Sequence, residues 1–418
     1  MADRRPLALG ALLAASTIST AGTRISAIAV PWLVLETTRD PVLTGLVGTA
    51  EITPYVVLQL LGAPLVDRLG ARRTAIAGNV VAGLAMALIP VLHAAGALSV
   101  PIVLSLVFVA GAARGPADAA TQVLVPVAAD RAGAPIERAA GLVDGAERLA
   151  SVLGAVAAGG LIAVVGAADV VLIDAISFAA GAVLLLLVPA ARAEETPESG
   201  LRAYLRDLRE GLRFTRTHPL TRSIAVMLVV TNFADAAVSG LLLLVWARTT
   251  GVGSPGLGVV VAAFGAAAVV GAALFMALGP RLPRRRTFAW SFLVAGAPRL
   301  LALALPLPFS AVVAVWVVGG LGAGALNPAL AAAQYAAIPP RLLARVLAAV
   351  NAAAWAGIPL GGLVAGLGVD TIGLVPALLA LALLYAAATL APFVGPSWRA
   401  MDRGAPARRP QEDAPLSP

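Results

Sequence analysis

Ten charged side chains fall inside long apolar stretches of this chain: Arg24, Glu51, Arg114, Asp118, Asp144, Glu147, Arg148, Asp174, Asp235 and Arg299. A charge at the centre of a bilayer costs about 2.5–3.5 kcal/mol on insertion scales, so each of these needs a partner or a task. Glu51 lies midway along its stretch, three residues before Pro54. A carboxylate among apolar groups can take up and release a proton near neutrality. Pro54 removes a backbone donor and bends the helix beside it. Glu51 is therefore a candidate for proton coupling or cation binding; the alternative is a permanent ion pair with Arg24 of the neighbouring stretch.

The other charges divide by depth. Arg114 and Asp118 are spaced i, i+4 and can pair along one helix face. Asp235 and Arg299 are the deep charges of the second half of the chain, with Asn232 one turn before Asp235. Ligand contact, proton relay and a mutual buried pair all remain open for them. Asp144, Glu147 and Arg148 cluster in the first turns of their stretch. Asp144 and Arg148 can pair, Glu147 must look to another helix, and the group reads as a gate or a solvated end. Asp174 falls near the end of its stretch and is expected to be solvated. His93 and His218 carry no catalytic expectation.

The elements that must position these residues are dictated by composition. Sixty per cent of the residues are hydrophobic and 12% are charged, against about 25% charged in soluble domains. So much apolar surface cannot be hidden in a soluble fold of this length. Twelve apolar runs are each near the ~20 residues needed to span a bilayer: 9–35, 42–66, 74–95, 100–125, 138–165, 168–190, 221–247, 256–280, 287–306, 309–335, 344–368 and 371–394. The expected fold is an all-α polytopic membrane protein with an N-terminal six-helix half (1–190), a linker (191–220), a C-terminal six-helix half (221–394) and a disordered tail (395–418). The linker is the only long hydrophilic connection, running polar from Ala191 to Arg222. Leu201, Leu205, Leu208, Leu212 and Phe214 fall at near-helical spacing opposite arginines, which predicts an amphipathic helix on an anionic leaflet.

Charge sets the expected orientation. The net charge is +8, and every basic residue is an arginine. With both termini in the cytoplasm, inward segments hold Arg4, Arg5, the Asp67 loop, Arg131, Arg138, the linker, Arg281 to Arg286, Arg341, Arg345 and the tail. Outward loops hold only Arg39 and Arg248, in accord with the positive-inside rule. That distribution explains the charge through the lipid surface, without a nucleic-acid partner. MADRRPLALG lacks a cleavage site after a brief apolar core and reads as a cytoplasmic leader into the first helix.

The two halves repeat. Gly115-Pro116 recurs as Asn327-Pro328, Pro126 as Pro339, Arg138 as Arg345, and the glycine-rich Gly154 to Gly160 as Pro359 to Gly366. The loop GAPLVDRLGARR, Gly62 to Arg73, joins the second and third runs. It resembles the signature G-x-L-a-D-R-x-G-R-R between the second and third helices of major facilitator superfamily (MFS) transporters. Leu65, Asp67, Arg68, Gly70 and Arg72 are in register, while Ala63 and Ala71 replace a glycine and an arginine. Gly22 to Thr38 and Asn327 to Leu367 resemble the first helix and the tenth-to-eleventh helix region of the enterobactin-exporter-like and macrolide-efflux-like branch. In Val152 to Leu161, Gly154 and Gly159 match the antiporter motif of helix five, with Ala155 in place of its proline; a generic small-residue interface is the other reading. In helix four, Ala117 stands where drug exporters of the superfamily carry a glutamine three places after an arginine.

The resemblance implies two six-helix bundles with the ligand held between them. It also implies a conformational latch in which Asp67 meets Arg345 or Arg72 when the cytoplasmic side is closed. The expected activity is secondary transport of a small hydrophobic drug-like or siderophore-like molecule, coupled to protons as an antiporter, by a monomer in a bacterial cytoplasmic membrane. Uptake by the same fold, or a non-transporting sensor or scaffold, are the alternatives. No GxxxxGK[ST] loop is present to bind ATP, and no His/Asp/Glu spacing suits a metal. Cysteine is absent, which removes disulfides and thiolate chemistry. No cofactor or enzymatic activity is expected.

Overall fold

A computed structural model describes residues 5–62, 65–66, 69–190, 201–278, 281–339 and 342–402. These residues are predominantly helical, with no strands among them. The N-terminal half comprises α1 (Arg5–Thr38), α2 (Pro41–Leu61), α3 (Ala71–Ala94), α4 (Val100–Ala132), α5 (Ile136–Val165) and α6 (Ala167–Leu185). A linker helix, α7 (Leu201–Thr217), precedes the C-terminal half. There α8 (Pro219–Ala237) runs through a π-helical segment, Val238–Leu242, into α9 (Leu243–Thr249). It is followed by α10 (Gly253–Leu278), α11 (Arg284–Ala295), α12 (Ala297–Ala304), α13 (Phe309–Ala337), α14 (Leu343–Ala356), α15 (Ile358–Ile372) and α16 (Leu374–Val394). Three of the expected spans are thus interrupted, yet twelve stretches remain long and apolar enough to cross a membrane.

Local chemistry sets the breaks. Between α1 and α2 the chain reverses at Arg39, the one non-glycine residue with positive φ among those described. Asp40 then caps α2 by accepting hydrogen bonds from the backbone N–H groups of Val42 and Leu43 at 2.8 and 3.0 Å, with Pro41 at the first helical position, where its missing N–H is no loss. Gly296 separates α11 from α12 because its backbone lies directly against the Tyr385 ring, where a Cβ could not fit. The interruption at Gly296 follows from that contact.

Within the N-terminal half α1 packs on α5 and α6, and α4 on α2 and α3. The C-terminal half repeats the scheme, with α10 against α13 and α8 against α15. Gly166 and Gly373, at matching places in the two repeats, both hold φ of 87° between consecutive helices.

The two ends of the bundle differ. One carries α7 and is called the linker face; the other carries Arg39. Near the Arg39 end the halves meet along α2–α15 and α5–α10. Gly45 abuts the Gly362 carbonyl across the seam, and Thr49 Oγ1 donates to the Pro359 carbonyl at 2.6 Å.

Two expectations need correction. The tail does not become irregular at Gly395: Pro396–Met401 forms a 3-10 turn whose Trp398 and Met401 are buried against Phe288 and neighbours. The tail from residue 403 on lies outside the described residues. Helix α7 forms as expected over its length, but it is held by protein as well as by any lipid. Gly211 abuts the Arg345 carbonyl on α14, Thr215 is buried, and Phe214 packs into the C-terminal core.

Candidate functional site

In the N-terminal half one arginine gathers two acids. Arg114 on α4 donates from Nη1 to Glu51 Oε1 of α2 at 3.0 Å. Its Nη2 lies 3.9 Å from Asp118 Oδ2, one turn along its own helix. The expected alternative partner for Glu51, Arg24, is engaged elsewhere: its Nε donates to Ser151 Oγ of α5 at 2.5 Å. The reason is helix packing. Gly111 presses against the Glu51 carbonyl, so α4 approaches α2 closely enough for Arg114, one turn on, to reach the acid. Tyr55, one turn after Glu51, completes the group. Its ring lies 5.2 Å from the Arg114 guanidinium, within cation–π range, and its hydroxyl stands beside Asp118. The sequence offered a signal for both: GAARG brackets Arg114 with glycines four apart, and Tyr55 shares the Glu51 face of α2.

Among the described residues the C-terminal half holds one ion pair deep in a span. Arg299 Nη2 donates to Asp235 Oδ1 at 2.8 Å, as one of the open readings required. Its guanidinium lies 4.5 Å from the Phe264 ring and 5.2 Å from the Trp316 ring. Asn232 does not join this pair; its amide donates to the Ala354 carbonyl on α14 at 3.2 Å. Tyr385, wholly buried, places a hydroxyl without a partner near the same charges.

Exposure separates acid from base in both halves. The Arg114 and Arg299 side chains are 16% and 10% exposed, whereas Asp118 and Asp235 are 43% and 44% exposed. Glu51, at 21%, lies between. Each arginine is sunk into its bundle and an acid is the accessible member of the set.

The remaining candidates fall into place around these clusters. Asp144 and Arg148 pair at 2.8 Å with both side chains 63% exposed, so that pair is a solvated helix end. Asp174 is not solvated: it is 2% exposed. The reason is cover from a neighbour: α1 packs along α6, with Gly22 against the Asp174 carboxyl. In the helix-five seam the two glycines face different partners. Gly154 abuts Ala21 of α1 within its own half, and Gly159 abuts Ser254 of α10 across the seam. His218 caps α8, with burial holding its imidazole below the usual range and Nδ1 2.9 Å from Thr221 Oγ1. His93 lies in the last turn of α3.

The chain matches the transmembrane secretion effector family over residues 5–415. It belongs to that family and is an MFS transporter. It is 28% identical over 399 residues to the multidrug efflux pump Tap of Mycobacterium tuberculosis, covering 94% of each chain. It is 27% identical over 385 residues to the Tap pump of Mycolicibacterium fortuitum, covering 91% of this chain and 93% of that one. In fold it is similar to the nucleoside transporter NupG, with a TM-score of 0.74 at 14% identity over 96% of this chain and 100% of the other. A bacterial homologue of the human lysosomal transporter Spinster, in an inward-facing and unoccupied conformation, gives 0.73 at 15% identity over 97% and 100%. These relatives are transporters.

The MFS signature loop is described only in part. Asp67 and Arg68 lie outside the described residues. Gly70 precedes α3 with φ of 83°, a conformation that suits glycine, and Arg72 is the second residue of α3. Arg345, the other expected member of the latch, donates to Glu210 Oε2 of α7 at 2.5 Å.

Proposed function

We propose that this MFS transporter exports small, largely apolar drug-like or siderophore-like molecules from a bacterial cytoplasm by alternating access, in exchange for protons. The observation that carries the reading is the arrangement of the two charge sets. One set per half holds a buried arginine and an accessible acid, Asp118 beside the less exposed Glu51 in one half and Asp235 in the other. A group that served packing alone would have no need to leave its acid less covered than its arginine. An acid that must exchange a proton and engage a ligand does.

Glu51 is the proposed coupling group. Protonating it removes its claim on Arg114, which is left to Asp118, so the α2–α4 contact weakens. Asp235 and Arg299, flanked by Phe264 and Trp316, offer the second half's contact to ligand. The name of the Tap relatives, multidrug efflux pumps, supports export over uptake. A sensor or scaffold would have no use for accessible acids at mid-membrane depth.

Orientation is proposed with the linker face in the cytoplasm, as the arginine distribution requires. The halves then meet at the outer end, and the conformation described here opens inward. The 191–220 linker and the two six-helix halves are proposed as the working units, and the monomer as the working form. The Asp67 latch would form when the linker face closes, drawing Arg345 from Glu210.

The test is purified protein in liposomes with an imposed pH gradient, offered a panel of hydrophobic antibiotics and siderophores. Accumulation of at least one compound against its gradient, collapsing when the pH gradient is dissipated, is the expected result. Movement only along the compound's own gradient would refute proton coupling, and no movement of any compound would favour the sensor reading.

A further inference from the structure

Asp174 is the one deep acid that the two charge sets do not employ. It lies on α6, eight residues into the helix, and is 2% exposed. Among the described residues it forms no ion pair. Its contacts are hydroxyls and backbone. Ser177 Oγ donates to the Asp174 carbonyl at 2.8 Å and lies 3.2 Å from Oδ1. On α1, a Cβ at Gly22 would fall 2.7 Å from the same oxygen, so that oxygen lies close against the Gly22 backbone. Ser26, one turn after Gly22 on α1, is 4% exposed, and its hydroxyl has no hydrogen-bond partner.

The charged surroundings are sparse. From α1, Arg24 is turned to Ser151. From α3 the facing polar group is Asn79, which donates to the Ala75 carbonyl, and no charged residue occurs between Arg73 and His93. From α5 none occurs after Arg148, and on α6 itself the nearest is Asp169 in the first turn. Across the bundle, the Arg114 guanidinium lies 5.8 Å from the Phe178 ring, one turn along α6 from Asp174.

We propose that Asp174 is a second proton-binding site of the transport cycle, holding a proton in the conformation described here and releasing it when Glu51 takes one up. A carboxyl buried among hydroxyls and backbone, with no cation in ion-pair contact among the described residues, is accommodated as the neutral acid, for whose O–H the unpartnered Ser26 Oγ is an acceptor. Arg114 links the two acids. While Glu51 is ionised it holds Arg114 at 3.0 Å. A proton on Glu51 leaves the charge of Arg114 to be shared between Asp118 and Asp174; ionised Asp174 is then stabilised, and its O–H bond breaks with the proton passing to water. The role in transport rests on the proton-coupled reading above; the proton on Asp174 does not.

The experiment is infrared difference spectroscopy of the purified full-length protein over a pH titration, paired with flux in liposomes. The carbonyl stretch of a protonated carboxyl should be present in wild type at neutral pH and missing in Asp174→Asn. In Glu51→Gln, where Arg114 is already free, the rising-pH loss of the band should move to lower pH than in wild type, so that the band is weaker at neutral pH. Asp174→Asn should also lose at least tenfold in pH-driven flux while keeping counterflow exchange. Ser177→Ala, which keeps the acid and removes one hydroxyl, should shift the band, and it serves where Asp174→Asn does not fold. An undiminished band in Asp174→Asn, an unshifted band in Ser177→Ala, or wild-type pH-driven flux in Asp174→Asn would overturn the proposal. If wild type itself shows no pH-driven flux, the exporter reading fails and the spectra alone decide whether Asp174 holds a proton.

Discussion

At the scale of single residues, Arg114 is the side chain on which the N-terminal site depends. Removing one member of a buried charge set leaves its partner uncompensated, at a cost of about 3–5 kcal/mol. Arg114→Leu should therefore lower the melting temperature in detergent, and the double variant Arg114→Leu/Glu51→Gln should recover most of the loss. Asp118 is accessible enough to tolerate the missing cation. An equal loss in the single and double variants would show that Arg114 acts through packing on Tyr55 and Phe178 instead. The residue types of this site were legible in the sequence, because a charge in an apolar run stands out. Their partners were legible only where choice was limited. Asp235 and Arg299 were the second half's deep charges and did find each other. Glu51 had two arginines within reach, and which one it bonds depends on how closely α4 approaches α2. That approach is set by Gly111, whose effect is felt only across helices. Asp174 was misplaced for a related reason: distance along a helix says nothing of the cover that a neighbour such as α1 supplies.

The helices show which parts of the pattern are local. The existence of the twelve spans follows from length and apolarity alone, and the linker helix from its spacing of leucines. Breaks inside spans did not follow, because Gly296 yields to Tyr385 and the π-helical turn at Val238–Leu242 sits at the seam. The contact between α2 and α15 is the most consequential of these. Gly45 and Gly362 let the two backbones touch, so Gly45→Val should hold the halves apart at the Arg39 end. Under a two-state equilibrium, 1.4 kcal/mol of added strain shifts the populations about tenfold. Spin labels on loops of the linker face should then report shorter distances between halves than in wild type. Unchanged distances would mean that the seam yields to the added side chain and is not a closure point.

For the whole molecule, the account requires one orientation and two conformations. Thr217 on the linker face and Thr250 at the opposite end are both exposed. In this cysteine-free chain, Thr250→Cys should react with an impermeant thiol reagent on intact cells and Thr217→Cys should not; the reverse would invert the topology. Asp67→Asn should weaken closure of the linker face, favour the conformation described here and slow turnover, with little change in the affinity of the inward-open site. A distance distribution identical to wild type would leave the arginines of that loop as lipid anchors only. The claim on which the rest depends is that export and proton entry are one process. Its most direct measurement is the reciprocal one, in which vesicles loaded with a transported compound are diluted into compound-free medium and the lumenal pH is followed. Compound leaving should drive protons in and acidify the lumen, and Glu51→Gln should abolish the acidification. A lumenal pH that stays constant while compound leaves through the wild-type protein would contradict the account.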